Sequence, residues 1–432
     1  MKTIKGIAFV VLIFAFSCDT ERNVAPVFEA FFTKYYGADG NQSAVDLLVN
    51  PDGTMVMLGN TTSQISSIPR PYIVKVDNMG IVLWQKQLGV QNEAASDIDS
   101  DGNGGILVVS NVLASGTSQI KVLHLDPNGG KLDSVVIDNK RTISGNSPVA
   151  ISQSGISINA VSDGSLLLVG TAGPNFIIEG PTLTDGPDQA DLLAFRFVSG
   201  IHNDKQPEQL VKQGGEHVGQ IVKGFQASIP GSTSYVFFGD SDRPFDIDGR
   251  YKRAFEIFAT DEFGGQMGPR PSTGIVAGET QVASTAIETP GLSQDSYLLI
   301  GTSTIGGSST MFIIQYVINS LPDGIVVRIN KHYDFGPRME GTTAAMSPTG
   351  EMYLLGNIIQ DNNKRDVILV KADGEGNNES YKTFGALEGD DVAAGVSVLP
   401  DGRIAVVATI ELETQKKIAL FILSPDGTFT NN

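Results

Sequence analysis

One cysteine, one tryptophan and four histidines are spread over 432 residues. A lone thiol excludes an intramolecular disulfide and any zinc site built on several cysteines. No HExxH spacing, cysteine cluster or Gly-rich phosphate loop occurs, so metalloprotease, structural-zinc and nucleotide chemistry find no support. Positive charge is also scarce. Thirty Lys and Arg face 48 Asp and Glu, a formal net charge of −18. Such a surface repels phosphate backbones, which excludes nucleic acid as a partner, and it argues against docking on anionic lipid by charge alone. Long amphipathic helical periodicity is missing throughout, which disfavours all-α and α/β folds.

What is present begins with a basic start, Lys2 and Lys5, and an apolar run from Ile7 to Phe16. The run is shorter than the ~20 residues a spanning helix needs. With the small residues after it, it reads as a secretory signal over residues 1–17. Ala15-Phe16-Ser17-Cys18 resembles the lipobox of bacterial lipoproteins, in a relaxed form with Phe16 in the middle. The resemblance implies cleavage before Cys18 and lipid on that cysteine. Several acyl chains there would hold the protein stably on a membrane where one would not. Residues 18–27 then read as the lipidated cysteine and a short polar tether, and the expected location is the cell envelope, leaning to the outer membrane.

From Phe31 a pattern returns seven times. In its first copy a small-residue strand, Ala44 to Val49, meets the turn Asn50-Pro51-Asp52-Gly53. An apolar strand ending in glycine follows, Met55 to Gly59, and then an alternating strand, Tyr72 to Asp77. Asp-Gly-type turns between apolar runs are a strong hairpin signal. They recur at Ser162-Asp163-Gly164, Pro348-Thr349-Gly350 and Pro400-Asp401-Gly402. Glycine-ended strands recur at Gly170, Gly239, Gly301 and Gly356. First strands start near Ala44, Ala94, Ser157, Val222, Ala283, Thr343 and Ala393, roughly 50 to 65 residues apart, the period of four-stranded propeller blades. The seventh copy supplies only three strands, whereas an orphan strand, Phe28 to Tyr36, precedes the first. Pairing the orphan with the last copy would close a ring and hide two edges. Residues 28–432 are therefore predicted to be a single all-β domain: a seven-bladed β-propeller of four-stranded antiparallel blades, closed by an N-terminal outer strand.

Val76-Asp77-Asn78-Met79-Gly80-Ile81-Val82-Leu83-Trp84 resembles the Asp…Gly…Trp signature of quinoprotein-like and WD40-like propeller repeats. The signature is complete in one blade. Leu125 to Gly130 and Ala372 to Gly376 keep Asp and Gly without Trp, so the tryptophan girdle of quinoprotein enzymes cannot form, and no catalytic motif comes with the likeness.

Asp97-Ile98-Asp99-Ser100-Asp101-Gly102 opens like a calcium loop, but the twelfth position, where an EF-hand needs a bidentate carboxylate, is Val108. The segment reads as a hairpin turn. No cofactor is expected, and calcium is the one ion the segment leaves open. Gly239-Asp240-Ser241 resembles the Gly-Asp-Ser block of a lipase-like hydrolase family, but no histidine among His124, His202, His217 and His332 has the spacing of its triad.

The longest loops, at Thr61–Pro71, Thr171–Ala190, Asp240–Lys252 and Gln360–Arg365, all leave one face, and loops on a rigid scaffold commonly carry function. Charge gathers there. Asp240, Asp242, Arg243 and Arg250 crowd one insertion, and Glu93, Glu216, Glu279, Glu340 and Glu388 stand just before successive first strands. These residues are the predicted ligand site: a broken carboxylate ring at a channel mouth. The expected function is a monomeric, non-enzymatic binding or scaffold module for a protein or glycan, touching the membrane through its lipid anchor alone. A second reading is a carbohydrate-active hydrolase or lyase using two carboxylates at the mouth. A third is an outer-membrane assembly factor, since anchor and architecture resemble the propeller lipoprotein of that machinery, which has eight blades.

Overall fold

Among the described residues, short polar turns of the expected kind fold first strands back on second strands. Asn50 and Thr54 close one such turn (Asn50 N–H to Thr54 carbonyl, 2.9 Å), and Gly53 N–H donates to the Asn50 carbonyl at 2.9 Å. Gly53 sits at φ +80, where a side chain is strained. The same pair of bonds shapes Val161–Ser165, Ser347–Glu351 and Leu399–Arg403.

The computed structural model describes residues 30–429 apart from 38, 63–67, 139, 142–148, 151, 174–190, 214–218, 228–232, 244–251, 268–277, 290–294, 319–323, 337, 378 and 387. The signal and Cys18 thus lie outside the described residues, as do Glu216 and Arg250. Among the described residues there are seven four-stranded antiparallel sheets and one pair of two-residue strands. The first strands are Asn41–Val49, Glu93–Ser100, Gln153–Ala160, Gly219–Ala227, Glu279–Glu288, Met339–Met346 and Val392–Val398. Each touches the first strand of the next blade and the seventh touches the first, so these strands form the inner ring. They begin up to four residues earlier than the small-residue pattern suggests, and three of them open on a buried polar side chain, Glu93, Gln153 or Glu279.

The predicted clasp is present. Phe32–Tyr36 pairs antiparallel with Gln415–Leu423, with Phe32 opposite Ile422 and Tyr36 opposite Ile418. The last sheet is therefore completed by the N-terminal strand. Tyr36 is buried, and its hydroxyl donates to the Gly80 carbonyl of blade 1 at 2.8 Å.

Seven hydrophobic clusters hold the ring, and each lies between two adjacent blades. A blade packed on both faces sends alternate side chains to opposite neighbours. In blade 4, Tyr235 and Phe237 enter the cluster shared with blade 3, and Val236 and Phe238 the cluster shared with blade 5. That is why the second strands read as unbroken apolar runs rather than as alternation.

Every inner strand carries a β-bulge at the same height, at Ala44/Asp46, Ala95/Asp97, Gly155/Ser157, Ile221/Lys223, Ala283/Thr285, Gly341/Thr343 and Ala393/Gly395. A bulge pushes backbone against the partner strand. In five blades the partner there is the recurring glycine, which lies inside the second strand rather than at its end, and in the other two it is Ser110 or Ala408. A Cβ on Gly356 would come within 1.9 Å of the Glu340 carbonyl oxygen, and one on Gly239 within 2.0 Å of the Gln220 carbonyl. Backbone cannot swing aside as a side chain can. Gly356→Ala is expected to destabilise the fold by about 1–3 kcal/mol, the range for overpacking, seen as a lower midpoint in thermal unfolding. A melting curve unchanged from the parent would show that the bulge can relax.

The residue after that position makes a blade-to-blade clip. Asn60 accepts from Ala95 N–H (2.8 Å), Asn111 from Gly155 (2.8 Å), Asp240 from Ala283 (2.7 Å) and Thr302 from Gly341 (3.2 Å). Asn357 accepts from Ala393 (2.9 Å) and Thr409 from Ala44 (2.8 Å), while Thr171 donates to the Gly219 carbonyl (3.3 Å). All seven interfaces thus carry one polar bond between the inner strand of one blade and the second strand of its neighbour.

The Asp…Gly…Trp segment also acquires a physical account. Asp77 Oδ1 accepts from Met79 N–H (2.9 Å) and Ile81 N–H (2.8 Å), and Asp126 and Asp373 shape their turns the same way. The turn glycine then gives room to an aromatic side chain from the preceding blade's outer strand. Trp84 faces Gly129 in this way, and Tyr36 and Tyr333 reach the carbonyls of Gly80 and Gly376. Tyrosine does at two interfaces what tryptophan does at one.

Candidate functional site

The residue that follows each bulge is Asp46, Asp97, Ser157, Lys223, Thr285, Thr343 or Gly395, in ring order. The first four form a continuous polar chain across four blades. Lys223 Nζ donates to Ser157 Oγ at 2.8 Å and lies 3.9 Å from Asp97 Oδ2 and 3.8 Å from Asp99 Oδ2. Asp97 Oδ2 also accepts from Ile158 N–H at 2.7 Å, which ties blade 2 to blade 3. The Asp46 carboxyl adjoins that of Asp97.

The electrostatics follow from three carboxyls sharing one lysine. Burial, then the charge of Asp97 and the hydrogen bond to it, push Asp46 well above the usual carboxylate range. Burial also pushes Asp99 up to about 6, with Lys223 opposing and Asp97 adding to the rise. For Lys223 burial disfavours the ammonium, but the three aspartates outweigh it and hold its pKa above the ordinary lysine value. Side-chain exposures are 31% for Asp99, 16% for Lys223 and 11% for Asp97, so a water-sized sphere still reaches them although protein encloses them on most sides. Enclosure rather than full burial is the cause of these shifts.

Beside this chain a cavity of about 380 Å³ opens where the inner strands of blades 2 to 5 end. Asp99, Asn159, Ser162, Lys223, Phe225, Gln226, Glu288 and Asp295 line it. The turn between Ala160 and Leu166 fixes one wall. Gln226 Oε1 accepts from Ser162 Oγ (2.6 Å) and Asp163 N–H (2.9 Å), which pins that wall to blade 4. Phe225, packed in the cluster between blades 4 and 5, forms the apolar side. On the far side burial, with the nearby charge of Asp295, raises Glu288 above the usual carboxylate value.

This cavity is at the hairpin-turn end of the inner strands, opposite the long-loop end chosen from sequence. The predicted residues do not gather into a carboxylate ring. Glu93 is 0% exposed and bonds inside its own blade, accepting from Ser110 Oγ (2.6 Å) and pairing with Lys121 Nζ (2.8 Å). Glu279 is likewise buried and accepts from Ser303 Oγ at 2.7 Å. Both open their strands instead of preceding them, and a carboxylate there is aimed at the second strand, not at a channel mouth. Asp240 is 1% exposed, held by Arg253, Gln220 and the Ala283 N–H as one of the seven clips. The Gly-Asp-Ser block is therefore structural, with Ser241 Oγ bonded to the Glu256 carboxylate. Asp242 and Arg243 close the same strand opposite Arg253 and Lys252, and their side chains lie outside the described residues. Glu340 is half-buried within its strand, opposite Asn357, and Glu388 is exposed.

The calcium-like segment is strand through Ser100 and turn beyond it. Asp101 Oδ1 accepts from Asn103 N–H (2.7 Å) and Gly105 N–H (2.8 Å), and its Oδ2 meets His124 Nε2 at 2.8 Å. Asp46, Asn159, Lys223, Glu288 and Asp295 were missed from sequence. The signal was available in part: Asp46 and Lys223 are single charges embedded in apolar strands, Ala44-Val45-Asp46-Leu47 and Ile221-Val222-Lys223-Gly224-Phe225.

The fold is a seven-bladed β-propeller with a polar, largely acidic cavity at its turn end. No protein-family model matches the chain, and no curated protein does. Solved structures share the fold. An ulvan lyase from a new family of polysaccharide lyases, bound to -[GlcA(1-4)Rha3S]-, superposes with a TM-score of 0.54 at 11% identity, covering 92% of this chain and 97% of that one. A protein of unknown function from Dyadobacter fermentans DSM 18053 superposes at 0.50 with 10% identity, covering 91% and 97%. At such identities the likeness is one of fold.

Proposed function

We propose that the chain is a lipid-anchored envelope protein, held through Cys18, whose monomeric propeller is a non-enzymatic binding module, and that its ligand site is the turn-end cavity. The cavity carries the reading. It is near the lower end of the ~300–1,000 Å³ range of small-molecule pockets. Its walls come from four blades, so the rigid ring sets their spacing. Its lining mixes one aromatic surface with carboxyl, amide, hydroxyl and ammonium groups. The ligand is then a small polar molecule, or one exposed group of a protein or glycan. The carbohydrate-active reading draws on the lyase that shares the fold and on the close pair Asp46 and Asp97. Those two carboxyls adjoin each other, whereas glycoside hydrolysis uses carboxyls roughly 5–10 Å apart, so the pair favours binding over that chemistry.

The test is a glycan and peptide array probed with the full-length chain and two variants. Ser162→Trp fills the cavity from an exposed turn and is expected to abolish the hits while leaving the melting temperature near that of the parent. Asp242→Ala, on the long-loop side, is expected to keep them. Hits that survive Ser162→Trp and vanish with Asp242→Ala would move the site to the long-loop end and overturn the proposal.

A further inference from the structure

Five-residue turns among the described residues are closed by two backbone hydrogen bonds. At Asn50–Thr54, Asp126–Gly130 and Ser347–Glu351 the first residue's N–H donates to the fifth's carbonyl and the fourth's N–H to the first's carbonyl, at 2.7 to 2.9 Å. The turn Asp101–Gly105 of blade 2 keeps the first bond, at 3.1 Å, and lacks the second, so the Gly104 N–H is free. Gly104 is exposed at φ +91, and beyond its chain neighbours no heavy atom lies within 4 Å of where a Cβ would stand. The residue before it, Asn103, is exposed as well. Its side-chain amide is tied only by a 3.5 Å contact from Nδ2 to the Asp101 carbonyl, longer than the usual ~2.7–3.2 Å.

Asparagine before glycine is prone to react with its own backbone, because glycine has no Cβ to hinder the approach of its nitrogen to the asparagine Cγ. The chain holds one other such pair, Asn128-Gly129, in a turn of the same length. There the glycine N–H donates to the Asp126 carbonyl at 2.9 Å, and Lys86 Nζ donates to the Asn128 carbonyl at 2.8 Å. A Cβ on Gly129 would stand 2.9 Å from the Trp84 ring. A nitrogen held and covered in that way neither loses its proton freely nor swings toward the side chain.

We propose that Asn103 is a site of spontaneous covalent modification, converted through closure of Gly104 N on its side chain to aspartate or β-linked isoaspartate, while Asn128 is spared. Hydroxide takes the amide proton of Gly104. The nitrogen attacks Asn103 Cγ, the Cγ–Nδ2 bond breaks, and the leaving nitrogen takes a proton from water and departs as ammonia. Water then opens the five-membered imide at either carbonyl. The net change is loss of ammonia and gain of water, with nothing oxidised or reduced.

The place of the turn gives the product its consequence. A Cβ on Gly102 would stand 3.9 Å from the Cβ of Ala160, which lines the turn-end cavity together with Asp99. A new carboxylate at position 103 adds to the charge of Asp99 and Asp101. The β-linked product also adds one atom to the main chain inside a span that Asp101 Oδ1 bridges, accepting from Asn103 N–H at 2.7 Å and Gly105 N–H at 2.8 Å. An aged chain thus carries a more acidic, re-spaced turn beside the cavity.

The test is to age the full-length chain at about pH 8.5, folded and in urea, and to map tryptic peptides by mass spectrometry. Asn103 and Asn128 fall on separate peptides, ending at Lys121 and Lys131, and fragmentation locates the modified residue. In the folded chain a gain of one mass unit is expected at Asn103 at least about tenfold faster than at Asn128. In urea, where the turns are gone, the two are expected to react at similar rates, since both precede glycine. Equal rates in the folded chain, or a faster Asn128, overturn the proposal. So does an Asn103 that stays intact in the folded chain while reacting in urea, because the turn would then protect it. A tenfold difference that persists in urea would place the cause in neighbouring residues rather than in the free Gly104 N–H, and overturns it too.

Discussion

Lys223→Met is expected to destabilise the propeller by about 3 kcal/mol at pH 8, the cost of leaving carboxylates enclosed without their partner. For about 400 residues that corresponds to a melting temperature lower by roughly 4 °C. The lysine stem is replaced by a side chain of similar shape, so packing changes little and the loss reports charge. Its size depends on pH in a determined direction. In the parent, Asp46 and Asp99 have folded pKa values above their ordinary ones, about 6 for Asp99. Between about pH 4 and 6 the folded chain holds protons that the unfolded chain has released, so these groups lower stability as pH rises through that window. Without Lys223 nothing opposes the repulsion, and the carboxyls take up protons more readily. The penalty of the substitution is therefore expected to be smaller at pH 5 than at pH 8. Thermal melts of both proteins across that range decide it. A penalty that is constant with pH would mean that Lys223 acts by packing rather than by charge.

Tyr36→Ala is the second large effect, because it strikes the strand that closes the ring. Tyr36 is buried in the cluster between blades 7 and 1, pairs with Ile418 and bonds the Gly80 carbonyl. Truncating a buried aromatic costs about 3–5 kcal/mol, and here the loss falls on a strand of five residues. With the anchor gone, Phe32–Tyr36 is expected to detach before the rest unfolds, leaving Gln415–Leu423 as an exposed edge. Limited proteolysis is then expected to cut near residue 36 in the variant and not in the parent, with faster amide exchange at Ala419 and Phe421. Tyr36→Phe, which keeps the ring and removes only the hydroxyl, is expected to lose about 1 kcal/mol. Equal protease resistance in all three proteins would show that closure does not depend on this side chain.

Much of the architecture was legible in the order of residues. Hairpin turns, apolar second strands and the orphan strand before the first copy are local signals, and each element is named by its own few residues. The recurring glycine was legible as a mark without its reason, since the crowding at Gly356 comes from Glu340, a residue of another strand. The candidate site was hardly legible. Charge in the loops drew attention to Glu93 and Asp240, which are buried partners of their own or adjacent blades. The acids that matter, Asp46, Asp97 and Asp99, resembled ordinary strand and turn residues.

The sequence by itself determined the blade: its four strands, its turns, its number of copies and the strand that closes it. These depend on periodicity and turn chemistry, which act over a few residues. The tertiary structure alone decided the channel. A bulge at one height in all seven inner strands brings Asp46, Asp97, Ser157 and Lys223, from four different blades, into one polar chain. The cavity beside them exists only because ring closure fixes the distance between residues as far apart in the chain as Asp99 and Asp295. Electrostatic coupling depends on that distance in space, and no local pattern of residues encodes it.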